Sequence, residues 1–185
     1  MEQKRIRRWH LYGFLFTALL GPLLHFIYAW SGGNAIAALL GPVNESVWEH
    51  LKLLFWPVLF FSTAECFVYG KTLPGFLPAK ALSLILGMLT IPTVFYLYSG
   101  ILGRSITAVD IFLYYLAAAA VWLFSYRLLI SQQFERNAGP ARLVSLGFLT
   151  LLMFCFALFT LRPPEIGLFQ DPVNGGYGIA QSRIS

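Results

Sequence analysis

The segment Pro42-Val43-Asn44-Glu45-Ser46-Val47-Trp48-Glu49-His50-Leu51-Lys52 runs without a break into an apolar stretch that ends at Tyr69. Residues 47–69 come close to the roughly 20 residues that an α-helix needs to cross the hydrocarbon layer. The segment must be helical, because lipid offers no partner to an open backbone N–H or C=O. It therefore reads as a membrane helix with a polar mouth of two acids, a histidine, a lysine, an amide and a hydroxyl. Such groups are expensive to keep beside a bilayer, so this mouth is the best pointer to activity.

Working outward, four more apolar stretches of similar length occupy residues 9–30, 79–98, 110–129 and 143–161. With 58% hydrophobic, 17% aromatic and 11% charged residues, the chain lies far from an average soluble domain. The expectation is an all-α, polytopic integral membrane protein with five transmembrane helices. Residues 1–161 would form the transmembrane domain, and residues 162–185 an extracytoplasmic, non-helical tail packed on the outer face. Pro163-Pro164, Asp171-Pro172 and Asn174-Gly175-Gly176 give that tail its turn geometry. The first apolar stretch follows Lys4, Arg5, Arg7 and Arg8 like a signal peptide. Its apolar core exceeds the roughly 7–15 residues of such a signal, so it is read as a helix, although Ala35-Ile36-Ala37 resembles a cleavage site.

Basic residues set the expected orientation, because cytoplasmic loops retain lysine and arginine. Lys4, Arg5, Arg7, Arg8, Lys71, Lys80, Arg127, Arg136 and Arg142 fall on one side; Lys52, Arg104, Arg162 and Arg183 fall on the other. The N-terminus is thus expected inside and the C-terminus outside. The net charge of +5 then reflects topology and contact with lipid headgroups rather than a nucleic-acid surface. Cys66 and Cys155 lie in separate spans without CxxC spacing and read as buried hydrophobes. The odd span number, with no visible duplication, removes the simplest mark of an inverted-repeat transporter. A homodimer would restore two-fold symmetry.

This topology collects polar groups at the outer ends of the helices: His25, Glu45, Glu49, Asp110, Glu165 and Asp171, with Tyr96, Tyr98 and Arg104. Glu45, Glu49 and Lys52 share one helix face, and Ser46 and His50 the adjacent one. Carboxylates and imidazoles at this spacing suit a divalent metal or acid/base chemistry. The expected metal set is Glu45, Glu49 and His50. Lys52 would clamp an anion at the helix N-terminus, and His25, Asp110 and Asp171 would complete or support the catalytic group. A plainer reading competes, since Ser46-x-x-Glu49 and Thr107-x-x-Asp110 both match capping boxes. Glu65, deep in the second span, is expected to pair with Lys80 or Arg127; a proton relay is the alternative. HExxH, GxSxG, Walker A and GxGxxG signatures are missing from the sequence.

Taken together, Pro42 to Lys52, Tyr96-x-Tyr98-Ser99-Gly100 and Phe169-x-Asp171-Pro172-x-x-Gly175-x-Tyr177-Gly178 resemble a family of small bacterial multi-pass membrane proteins of unknown function, common in Firmicutes. The resemblance rests on Asn-Glu-Ser-x-Trp-Glu-His-x-Lys. It implies the bacterial inner membrane and a shared outward-side motif set, and no activity. The functional expectation is an outward-facing metal-assisted or acid/base enzyme acting on a lipid or envelope precursor. A proton- or cation-coupled carrier and a non-catalytic scaffold are the rivals, and membrane lipids are the expected partners.

Overall fold

The computed structural model describes residues 2–179; Arg183 and the end of the tail lie outside them. Six α-helices follow in order: α1 (Glu2–Trp30), α2 (Ala35–Leu40), α3 (Val47–Val68), α4 (Phe76–Leu102), α5 (Thr107–Ile130) and α6 (Ala138–Leu161). All but α2 are long and apolar enough to cross a membrane. No β-strand forms among the described residues; a single bridge between Gln170 and Tyr177 closes a loop in the tail.

The spanning helices overrun the apolar stretches at several ends. Helix α1 begins seven residues before residue 9, because Lys4 to Arg8 are good helix formers and nothing there breaks the turn. Helix α4 likewise extends from Phe76 to Leu102, past the expected 79–98. Hydropathy locates the hydrocarbon layer, whereas the helix continues into the polar zone until a backbone signal stops it. For α4 that signal is Gly103, in the left-handed region at φ 69°.

Helix α3 is central: 56% of its most apolar window is buried within the protein, against 22–28% in the other spans. It packs chiefly on α1 and α4, while α4 also packs on α5 and α6. Leu54, Phe55 and Val58 of α3 meet Leu84 and Met88 of α4 and Val121 and Trp122 of α5 in the core. In lipid, apolar burial alone does little to hold helices together; close packing and hydrogen bonds do more. Gly13 lies beneath the Trp122 ring, and Gly87 faces Val121 and the Ala117 carbonyl. Trp122 Nε1 donates to Thr17 Oγ1 at 3.0 Å, and Tyr114 Oη donates to Thr17 O at 2.7 Å, tying α5 to α1. Leu19, Leu97, Phe112, Leu143 and Phe154 point outward, as lipid-facing side chains should.

The short α2 starts at Asn34, whose Oδ1 accepts from Ile36 N at 2.8 Å. It buries Ala37 and Ala38 and touches α1, α3 and α6. Trp56 Nε1 of α3 donates to Leu39 O at 2.9 Å. The tail returns to the same end of the bundle. Trp48 N donates to Leu168 O at 3.1 Å, Tyr96 Oη donates to Gly167 O at 3.1 Å, and the Phe169 ring lies 5.0 Å from Trp48.

Candidate metal centre at the α2 end

The loop between α2 and α3 is built by its own polar side chains. Asn44 Oδ1 accepts from Ser46 N at 3.0 Å, and Ser46 Oγ caps α3 by accepting from Glu49 N at 3.3 Å. The half of the capping box that starts from Ser46 therefore forms. Glu49 does not return to Ser46 N: its Oε2 accepts instead from Val43 N at 3.0 Å.

This loop projects Glu45 outward, where it meets two imidazoles. Glu45 Oε2 lies 3.4 Å from His50 Nε2, one turn along α3, and 3.7 Å from His25 Nε2 on α1. One ligand atom from each of the three lies within 4.8 Å of the others, and among the described residues this is the one such group of three or more. Zinc bonds of about 2.0–2.1 Å in a tetrahedron place ligand atoms about 3.3 Å apart, so both measured separations are close to a metal-ready spacing. His50 Nδ1 lies 2.9 Å from Ser46 O. A proton there fixes the tautomer that leaves Nε2 free as a donor to metal, the usual outer-shell arrangement of a ligating histidine. His25 Nδ1 is buried and has no hydrogen-bond partner among the described residues. The His25 imidazole, and His50 after it, hold the Glu45 carboxyl below its ordinary value of 4.5 in spite of partial burial. Glu45 is therefore an anion at neutral pH.

The structure takes Glu49 out of the expected metal set and Lys52 out of its expected role as an anion clamp. Lys52 is fully buried, and its Nζ donates to Glu49 Oε2 at 2.6 Å, Thr160 Oγ1 at 2.5 Å and Ala38 O at 2.8 Å. Its three N–H bonds are thereby used, so it cannot clamp an external anion. Glu49 Oε1 accepts from Thr160 Oγ1 at 2.9 Å, which together with Lys52 and Val43 N occupies both oxygens. Thr160 was not among the candidate residues. Its polarity inside a span whose other polar side chains are Ser145 and Thr150 is the one signal in the sequence, and only the packing of α6 shows its partner. The pair acts on the site indirectly: Lys52 holds Ala38 O of α2 and Glu49 holds Val43 N, so together they fix the loop that carries Glu45.

Asp110 and Asp171 also lie apart from the cluster. Asp110 does not cap α5; the N-cap is Ile106, and the Asp110 carboxylate accepts from Tyr98 Oη of α4. The same Tyr98 oxygen accepts from Ile106 N at 3.1 Å, which explains why Thr107 is not needed as a cap. Asp171 is buried in its own turn: Oδ1 accepts from Val173 N at 2.8 Å, and its backbone pairs with Gly175 and Gly176. Both carboxylates hold connections in place.

At the opposite end, Glu65 forms the expected ion pair with Lys80, at 2.5 Å. Tyr69 Oη donates to Glu65 Oε1 at 2.5 Å, and His10 Nε2 lies 3.0 Å from Ser125 Oγ and 3.2 Å from Lys80 Nζ. His10, which its neighbours in sequence place among basic interfacial residues, is buried and joins α1 to this cluster. Helices α1, α3, α4 and α5 meet there around one carboxylate and one ammonium.

The chain belongs to a family of unknown function, DUF6512, whose profile matches residues 1–179. No curated protein and no solved structure matches the chain.

Proposed function

We propose that this DUF6512 member is a polytopic membrane enzyme whose His25, Glu45 and His50 hold a divalent metal, zinc, for hydrolysis or group transfer on an amphiphilic envelope substrate. The observation that carries the reading is the convergence of Nε2 of both histidines on one Glu45 oxygen. Three protein ligands leave a coordination position open, as catalytic rather than structural zinc sites do. In that position zinc would supply a water acidified to a pKa of about 7.

The surroundings support an amphiphile. His25, Glu45 and His50 are half-exposed at a helix end, and the Phe26 and Trp30 rings stack beside His25. Aromatic side chains of this kind settle at the headgroup level of a bilayer. A lipid-linked substrate would keep its chain in the bilayer and present its head to the metal. Loss of Lys52 as a clamp leaves the metal itself as the group that meets negative charge.

The orientation rests on the basic residues. Lys52 and Lys80 are buried in ion pairs and no longer count as loop charges. Among the described residues, Lys4, Arg5, Arg7, Arg8, Lys71, Arg127, Arg136 and Arg142 still oppose only Arg104 and Arg162. The metal end is thus the extracytoplasmic one, in a bacterial inner membrane, with the tail from residue 162 packed on its outer face.

The rival reading, a carrier, needs a polar route from His50 to Glu65, about 22 Å along α3. Leu54, Phe55, Val58, Leu84, Val121 and Trp122 fill the intervening layer. That layer favours a site open to one face only.

The test is incubation of the zinc-loaded, detergent-purified protein with a bacterial lipid extract, followed by mass spectrometry. Consumption of a lipid species by the wild type and not by Glu45→Gln supports the proposal. An unchanged lipid profile in both, or equal turnover by both, sinks it. Iron in place of zinc would point to oxygen chemistry, which two histidines and one carboxylate also support, and would overturn the hydrolytic reading.

A further inference from the structure

A groove of about 220 Å³ runs between α3, α4 and α6 in the half of the bundle that holds Glu65. Val58, Leu84 and Leu149 line its end towards the bundle centre, and Phe67, the buried Phe76 and Leu77 its end near the 69–76 connection. The walls are almost wholly apolar, with one exception that points inward. Ser62 lines the groove, is 8% exposed, and its Oγ is buried with no hydrogen-bond partner among the described residues.

A helical serine or threonine ordinarily returns its hydroxyl to the carbonyl four residues back. Thr63, Ser83, Thr90, Ser99 and Ser145 all do so here, at 2.6–2.8 Å. Ser62 does not. A buried hydroxyl that forgoes this bond is destabilising unless something else accepts from it, so Ser62 points to an acceptor from outside the chain. Cys66, one turn further along the same face of α3, lines the groove as well and offers a second weak donor. Lys80 contributes its stem and not its charge, since its ammonium is taken up by Glu65, His10 and the Trp122 ring.

Depth decides what the missing partner can be. Ser62 lies six residues inside the end of α3, about 9 Å below the edge of the helix. The ester and phosphate groups of a phospholipid stay at the edge of the hydrocarbon layer and do not reach that far. The groove extends from Phe67 to Val58, about 14 Å of helix, which suits one chain or one small ring with the start of a tail.

We propose that this groove binds a neutral, lipid-soluble molecule that carries a hydrogen-bond-accepting carbonyl on a compact head and a single apolar tail, the chemistry of an isoprenoid quinone. The carbonyl takes the Ser62 hydroxyl, the ring of the head packs along the groove towards Phe67 and Phe76, and the tail leaves laterally into the bilayer. Lys80, the one charged residue among those lining the groove, is paired with Glu65. Lys71, 4.4 Å over the Phe67 ring, is a cation at the rim, more than a helical turn from Ser62, so an anionic headgroup held there would not satisfy the Ser62 hydroxyl.

The test uses the full chain in phosphatidylcholine nanodiscs, titrated with a ubiquinone of two isoprene units and read by quenching of tryptophan, with Trp122 the reporter beside Lys80. The expected result is saturable quenching. Ser62→Ala should weaken it roughly three- to tenfold, the worth of one hydrogen bond, while the ligand-free variant melts no lower than wild type, because the hydroxyl it loses has no partner among the described residues. Ala81→Phe, which fills the groove wall, should abolish it. Quenching that does not saturate, or that Ser62→Ala leaves unchanged, overturns the proposal. So does displacement of the quinone by a phospholipid with brominated chains, which would make the groove an ordinary lipid furrow. Should Ala81→Phe fail to fold, the Ser62→Ala comparison alone decides.

Discussion

Lys52 and Glu49 show how the setting of a charge decides its role. Both sit within two turns of the start of α3, where their spacing suggested a working site, yet both are buried and consumed by each other, by Thr160 and by backbone. Removing one member of a buried pair strands the other, which costs about 3–5 kcal/mol. Lys52→Met should therefore lower the melting temperature sharply in detergent, and Lys52→Met with Glu49→Leu should recover part of the loss. Equal melting of Lys52→Met and wild type would show the pair to be solvated. Glu45 behaves oppositely. Its carboxyl is held below 4.5 by His25 and His50, so its contribution to stability is present above the unfolded value and fades as pH falls through the folded one. Metal-free wild type should accordingly lose melting temperature below about pH 4.5 more steeply than Glu45→Gln does, as an acid series of thermal melts will show.

At the scale of elements, hydropathy made the five spans legible, and the turn residues of 162–177 coincide with a stretch without helix, although Gly178 and Ile179 are helical against the expectation for residues 162–185. The partnerships among them were not, since 3.6-residue periodicity reports the face of one helix and nothing about its neighbour. His50 and Glu45 are five residues apart and could be read together, whereas His25 reaches them only through the packing of α1 on α3. Glu49 left the set for the same reason, because Thr160 lies on α6. Tyr98 likewise claims Asp110 from across the α4–α5 connection. The close approach of α2 to α1 depends on Gly41, where an added Cβ would meet the Leu24 carbonyl. Gly41→Ala should thus cost about 1–3 kcal/mol and loosen the loop bearing Glu45. The expected outcome is a lower melting temperature together with weaker zinc retention on dialysis against a chelator.

The whole molecule has two polar clusters separated by an apolar layer, with the proposed metal site at one end and an apolar groove towards the other. The proposed orientation places the eight basic residues on the side of the N-terminus, Lys4, Arg5, Arg7, Arg8, Lys71, Arg127, Arg136 and Arg142, in the cytoplasm. In a Cys66→Ala/Cys155→Ala background, Ser105→Cys should react with a membrane-impermeant maleimide in intact cells, and Gln133→Cys only after permeabilisation. The reverse pattern would place the metal end in the cytoplasm and remove envelope precursors as substrates. The proposed enzyme stands or falls with its zinc. Its most direct test is elemental analysis of the detergent-purified protein, comparing wild type, His25→Ala/His50→Ala and Asp110→Asn. Stoichiometric zinc is expected in the wild type and in Asp110→Asn, and none in the double histidine variant. Metal-free wild type after zinc loading, or zinc retained without the two histidines, would contradict it.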